Sequence, residues 1–337
     1  MRSPVTAGPT DDGEPGTGLR SGLLHALRTP TVGPLAALAL AVLVFSLTTD
    51  TFLTAENLSL VLQQSIVIGI LALGQTLIIL TAGIDLSNGA IAVLGTLVMA
   101  KPVYEGNGAA AALLLGLAVT TCLGLVNGLL VARLGLPPFI VTLGALTVIY
   151  AVSRLYSESR SYPVTDDLLV VWGNGFHLGS ALITWGTLML VGLYAFFWYA
   201  LGRTVWGRHI YAVGNAPESA RLTGISVRRA VLSVYVTAGL LYGIAAWQAL
   251  GRIPNADPNS YQTANLESIT AVVIGGTSLF GGRGSVAGTL IGTLIVTVLR
   301  SGLTQAGIDS LYQDVATGTL VIVAVGVDKI LRRGSTR

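Results

Sequence analysis

The residues best suited to chemistry in this sequence stand together in Ala82-Gly83-Ile84-Asp85-Leu86-Ser87-Asn88-Gly89, the most polar break in a long apolar region. A lone carboxylate in hydrocarbon is costly, so Asp85 must be capped, paired, hydrated or protonated. Two roles are open. Asp85 or Ser87 can cap the helix that follows by accepting its free backbone N–H groups. The break can also line a hydrated path or a gate. The two roles are compatible, because irregular backbone at membrane depth is tolerated only where protein or water covers it. A second break, Gly281-Gly282-Arg283-Gly284, comes late in the chain. Its Gly282-x-Gly284-x-x-Ala287 matches a dinucleotide-binding spacing, but the segment lies in predicted membrane helix with no βαβ unit, so that reading is rejected.

Other chemistry is excluded by residue type. A P-loop needs a lysine followed by Ser or Thr; the only lysines are Lys101, followed by Pro102, and Lys329, followed by Ile330. The chain does not bind ATP by that route. Neither G-x-S-x-G nor H-E-x-x-H occurs, and His25, His177 and His209 stand far apart, so no metal or cofactor site is expected. Asp166-Asp167 reads as a solvated pair in a loop. Cys122, the one cysteine, reads as a small buried hydrophobe. No catalytic constellation is left.

The longest hydrophilic stretch between apolar segments, about 202–229, carries a short helix signature. Asn215 suits a cap, Pro217 the first turn, Glu218 the positive N-terminus, Arg221 the negative end and Gly224 a left-handed stop. Ser219, Ala220 and Leu222 would give it a small, semi-polar face fit for a partner's groove. A plain connector is the equal alternative.

The elements that must position these residues are membrane helices. The 337 residues are 52% hydrophobic and 10% charged, with a mean hydropathy of +0.73; soluble domains carry about 25% charged residues. Apolar segments run approximately 31–49, 58–80, 86–100, 109–132, 139–155, 181–201, 230–250, 266–280, 286–304 and 311–328. Most can cross ~30 Å of hydrocarbon; 86–100 and 266–280 are short and need a partner half-helix or a tilt. The expected fold is an all-α integral membrane protein of about ten transmembrane helices, some short or broken. Residues 1–30 read as a disordered cytoplasmic tail and 31–333 as the membrane domain. Fourteen Lys and Arg lie on the side of the N-terminus, against Lys101, Arg154, Arg160, Arg252 and Arg300 on the other. Both termini are therefore expected in the cytoplasm.

Forty-two glycines include the ridges Gly124-x-x-x-Gly128, Gly239-x-x-x-Gly243 and Gly284-x-x-x-Gly288-x-x-x-Gly292, which read as close helix contacts, within one chain or between two. A weak repeat relates Gly83, Leu86, Gly89 and Gly95 to Gly276, Leu279, Gly282 and Gly288. Matching interrupted helices are the pattern expected beside a transport path.

The stretches Thr81 to Gly89, Gly124 to Arg133, Pro137 to Gly144, Gly207 to Ile225 and Val273 to Gly284 together resemble the permease subunits of ribose-, xylose- and fructose-type ABC sugar importers, over roughly residues 35–330. The resemblance implies a multi-pass plasma-membrane permease, working as a homodimer with a cytoplasmic ABC ATPase and an extracytoplasmic sugar-binding protein. It needs no nucleic acid and no cofactor, only its partners and the lipid bilayer. By the same resemblance, Pro217, Glu218, Ser219, Ala220, Arg221, Leu222 and Gly224 form the coupling helix that docks on the ATPase. Asp85, Ser87, Asn88, Asn127, Thr277 and Ser278 are the candidates for the translocation path or gate. The sequence departs from the family at Ala82, where a glycine is common, and at Asn88, where valine is common. The outer loop 156–179 is slightly closer to fructose-type members. Competing readings are an amino acid permease of the same design and a stand-alone secondary transporter, for which Asp85, Glu267 and Arg300 are the intramembrane ionisable groups.

Overall fold

A computed structural model describes residues 32–334, and the expected tail 1–30 lies outside them. Helices α1 (Val32–Thr48), α2 (Ala55–Leu80), α3 (Asn88–Tyr104), α4 (Ala109–Ala132) and α5 (Pro138–Ser157) come first. A small irregular region follows, with β1 (Tyr162–Pro163), α6 (Asp167–Val170), β2 (Gly175–Leu178) and β3 (Ala181–Thr184). Then come α7 (Trp185–Arg203), α8 (Val205–Asn215), α9 (Pro217–Leu222), α10 (Val227–Arg252), β4 (Asn255–Ala256), α11 (Ala264–Ile274), α12 (Val286–Gln305) and α13 (Ser310–Gly334).

Each of the ten apolar segments coincides with a helix, but six of them (α2, α4, α5, α7, α10 and α12) are long and apolar enough to cross a membrane, with α1 and α11 shorter apolar helices. Their burial differs sharply. In the most apolar window of α2, 83% of residues are buried inside the protein, against 17% in α5. A helix apolar all round and covered on every side is a core helix, so α2 is the hub and α5 lies at the rim.

Glycine ridges set the closest approaches, and they act within one chain. Gly124 of α4 faces Gly239 of α10, where a Cβ would stand 2.8 Å from the Gly239 Cα. One turn on, Gly128 meets the Tyr235 Cβ at the same distance. Gly288 and Gly292 of α12 lie against the backbone of Gly275 and Ala271 at the end of α11. Removing Cβ atoms lets the backbones approach closely enough to gain dispersion contacts, the attraction left when lipid is as apolar as the helices.

The fold is all-α apart from two short antiparallel pairs between helices, β1 with β4 and β2 with β3. Two expectations need correction. Asp166 is not merely solvated, since its Oδ1 accepts from the Leu168 N–H at 2.9 Å and starts α6. Cys122 is exposed on α4 rather than buried; on a lipid-facing helix a small apolar residue gains nothing by pointing inward.

The α4–α10 contact yields a prediction. Gly124→Leu drives a side chain into the backbone of α10 and should cost about 1–3 kcal/mol, the usual penalty for overpacking. Gly144→Leu on α5 points into open space and should leave stability unchanged. Thermal unfolding of the purified variants in detergent measures both.

A candidate translocation site at two helix breaks

α2 ends at Leu80 in a turn in which the Gly83 N–H donates to Ile78 O at 3.1 Å. Ala82 takes φ 61°, a left-handed conformation costing an alanine roughly 1–2 kcal/mol. Residues 84–87 then run in extended or irregular backbone before α3 begins at Asn88. With no helix to satisfy them, their peptide groups must find side chains.

They do so from α2 itself and from two other helices. The Thr142 hydroxyl of α5 donates to Ile84 O at 3.0 Å. Oriented to suit both groups, the Gln75 carboxamide of α2 donates to Asp85 O at 3.0 Å and accepts from Asp85 N at 3.2 Å. The Asn265 carboxamide of α11 donates to Leu86 O at 3.2 Å. One side chain thus serves each of the three successive carbonyls of residues 84–86.

The candidate residues form the second layer of this network. Asp85 Oδ1 accepts from the Ser87 N–H at 2.7 Å and from the Ser87 hydroxyl at 2.6 Å. Ser87 Oγ accepts from Asn127 Nδ2 of α4 at 2.9 Å, and Asn88 Nδ2 donates to Ser268 Oγ of α11 at 2.7 Å. The buried Tyr235 and Tyr242 hydroxyls of α10 lie within electrostatic reach of the Asp85 carboxyl. Asp85, Ser87, Asn88 and Asn127 are all buried. Capping therefore takes another form than expected: Ser87 is the N-cap of α3 but makes no side-chain cap bond, and Asp85 holds Ser87 itself rather than the first turn of the helix.

Thr277 and Ser278 belong to the other break. After α11, Gly276 at φ 86°, Gly281 at 83° and Gly282 at 71° turn the chain. Ser278 N–H donates to Arg283 O at 2.9 Å and closes the turn, while buried Thr277 fills the space left by Gly284. Among the described residues, the Thr277 hydroxyl has no hydrogen bond to the Asp85 network. The two breaks instead meet through backbone, where Gly282 N–H donates to Leu80 O at 3.0 Å.

A third element closes on the same point. Gly214, at the end of α8, packs against the Leu80 carbonyl and Gly282 N. A Cβ on Gly281 would stand 2.8 Å from both Gly214 O and the Ala82 Cβ, and Tyr211 of α8 donates its hydroxyl to Gly284 O at 2.9 Å. The junction of both breaks thus touches the last turn before α9.

The sequence was then compared with known proteins. The family model described as the permease component of a branched-chain amino acid transport system matches residues 57–325. The chain belongs to that permease family. It is 43% identical over 319 residues to the fructose import permease protein FrcC of Rhizobium meliloti, covering 92% of this permease and 89% of its relative. The ribose import permease protein RbsC of Bacillus subtilis is 36% identical, over 88% and 92% of the two chains. The galactose/methyl galactoside import permease protein MglC of Escherichia coli K12 is 34% identical, over 86% and 91%. No solved structure matches. The protein is thus a multi-pass membrane permease component and not an enzyme.

In this permease the exposed segment α9 is a separate helix of six residues. Its cap is Ala216, not Asn215, because α8 continues through Asn215. Gly224 does stop it, at φ 87°, with Ile225 N–H donating to Ala220 O at 3.0 Å. Ala220 lies outside the expected docking face: it is buried against Val213 and Ala230. The free surface is made by Pro217, Glu218, Ser219, Arg221 and Leu222, with Leu222 84% exposed and Arg221 paired to Glu218 at 3.2 Å.

Sequence reasoning missed Gln75, Thr142, Asn265, Ser268, Tyr235 and Tyr242. Gln75 carried a signal, as the carboxamide set deepest in the apolar run 58–80, well apart from Gln63 and Gln64 near its start. Asp85 gives the test. Asp85→Asn keeps an acceptor for Ser87 and should fold as the wild type. Asp85→Ala strands a buried N–H and hydroxyl and should lose about 1–3 kcal/mol. Thermal unfolding of both, read beside transport, checks this ordering.

Proposed function

We propose that this permease is the membrane-spanning subunit of an ATP-binding-cassette importer for a monosaccharide, energised by a separate cytoplasmic ATPase and loaded by an extracytoplasmic sugar-binding protein. The observation that carries this reading is the end-to-end similarity to import permeases for fructose, ribose and galactose. The family description names amino acids, but three sugar permeases that each match 86–92% of the chain favour a sugar. Two copies forming the path, ten spans with both termini cytoplasmic, and α9 as the coupling helix belong to the same reading. The fourteen-to-five bias in Lys and Arg supports that orientation.

The geometry suggests how force would travel. A partner seated on Leu222 and Arg221 moves α9, and with it the Gly214–Asn215 turn. That turn rests on the Leu80–Gly282 contact, so one displacement reaches both breaks. Asp85, Ser87, Asn88 and Asn127 would then part to open the path, with Thr277 and Ser278 shaping the second gate. The buried network is the closed position of that gate.

Damage to α9 should therefore uncouple rather than unfold. Arg221→Glu and Leu222→Glu lie in water on a six-residue helix and should leave the unfolding midpoint unchanged. Co-purification with the ATPase and ATP-driven sugar uptake should fall about tenfold or more, a loss of about 1.4 kcal/mol. Wild-type uptake in both variants would reduce α9 to a connector. Sugar accumulation by the chain alone, driven by an ion gradient, would overturn the importer reading.

A further inference from the structure

At the end opposite α9, a cavity of about 560 Å³ opens among α2, α10, α11, α12 and the loop 257–263. Its size is that of a small-molecule site, and none of the gate candidates lines it. Its floor is the loop before α11. There Tyr261 is held at φ 55° and its carbonyl accepts from the Tyr150 hydroxyl of α5 at 3.3 Å. Beneath the floor, Tyr261 O and Ala264 Cβ sit within 3.4 Å of where a Cβ on Gly89 would stand. The cavity thus ends directly on the first turn of α3, above the Asp85 network.

The chemistry of the wall is unusual for a membrane protein. Glu267 is buried and paired with Arg300, and it also accepts from the Thr263 hydroxyl at 2.9 Å. Arg300, whose side chain is 44% exposed, has donors left over for the cavity. Arg252 also lines the cavity, beside a buried Tyr261 hydroxyl that has no hydrogen bond of ordinary geometry. The lining holds two arginines, one glutamate and one aspartate, so its formal charge cancels. It offers no net field to draw in an anion or a cation. The Gln64 and Gln262 carboxamides, with the loop hydroxyls, both donate and accept, as a hydroxyl group on a solute also does.

We propose that this cavity is a receiving site for a neutral polyhydroxylated solute on its way to the gate, with Arg252, Glu267 and Arg300 as its hydrogen-bonding groups. The inference rests on the monosaccharide reading above and adds to it a site within the permease itself. The solute would be bound before the Asp85 network parts, its hydroxyls replacing water on the guanidinium groups, with Gly89 and α3 beneath it. Exchange of one neutral hydrogen-bonding partner for another favours weak, reversible binding, which suits a transit site.

The test uses the permease reconstituted with its ATPase and binding protein, with Cys122→Ser and a cysteine replacing Gln262. Millimolar D-fructose, D-ribose or D-galactose should slow labelling of that cysteine by a membrane-impermeant maleimide at least threefold. Gluconate should not, and neither should any sugar at a control cysteine replacing Asn107. In the uptake assay, Gln64→Ala and Arg300→Gln should raise the KM for sugar at least fivefold, while ATP hydrolysis stimulated by the binding protein stays within twofold. Unprotected labelling by every sugar, or unchanged KM in both variants, overturns the site. Should the wild-type assembly transport none of the three sugars, the monosaccharide reading fails separately. The cavity is then judged by labelling with xylitol, where protection sustains it and its absence overturns it.

Discussion

A peptide group in hydrocarbon has no water to bond, and that constraint governs the centre of this protein. Two helices are interrupted inside the bundle, and each interruption leaves N–H and C=O groups that no helical turn can satisfy. Around residues 84–87, Thr142, Gln75 and Asn265 take over the missing hydrogen bonds. These helices are held in place by that demand as well as by packing: α5, α2 and α11 cannot drift from the break without stranding a carbonyl. Leaving a buried group unpaired costs roughly 1–3 kcal/mol, more than most single apolar contacts return.

The same arrangement explains how rigidity and motion coexist. The Gly282 N–H bonded to Leu80 O ties one break to the other, and Gly214 wedges α8 against both. Gly282 and Gly214 bring backbone against the backbone of Leu80 with no side chain of their own to absorb a displacement. Movement of one element must be shared by the others. Ala82, held in a left-handed conformation against Gly281, stores a little strain there, in the kind of place where strained backbone gathers at switch regions.

Much of this was legible in the sequence, but unevenly. The apolar runs all fall on helices, but only six of those helices among the described residues are long and apolar enough to cross a membrane. Asp85, Ser87, Asn88 and Asn127 stood out as polar residues among apolar ones, and they do converge. Their partners did not stand out, since Ser268 lies 180 positions from Asn88 and nothing local announces such a pairing. Asn215 looked like a cap by residue type, yet α8 runs through it, because the helix started by Thr204 continues to the Pro217 boundary. Cys122 was misplaced by a rule for proteins in water. The cavity lining was invisible for a plainer reason: Asn259, Gln262 and Thr263 have the composition of any polar loop, and only the fold sets them around a cavity.

The account stands or falls on side chains doing the work of helix at the first break. Gln75→Leu keeps the size and helix preference of residue 75 while removing both hydrogen bonds to Asp85. Amide hydrogen exchange across residues 82–88, compared between this variant and the wild type in lipid nanodiscs, measures the effect directly. An unpaired-group penalty of about 1–3 kcal/mol corresponds to exchange faster by roughly fivefold to 150-fold, and the acceleration should be confined to the break and the start of α3. Exchange across 82–88 that is as slow in Gln75→Leu as in the wild type would contradict it.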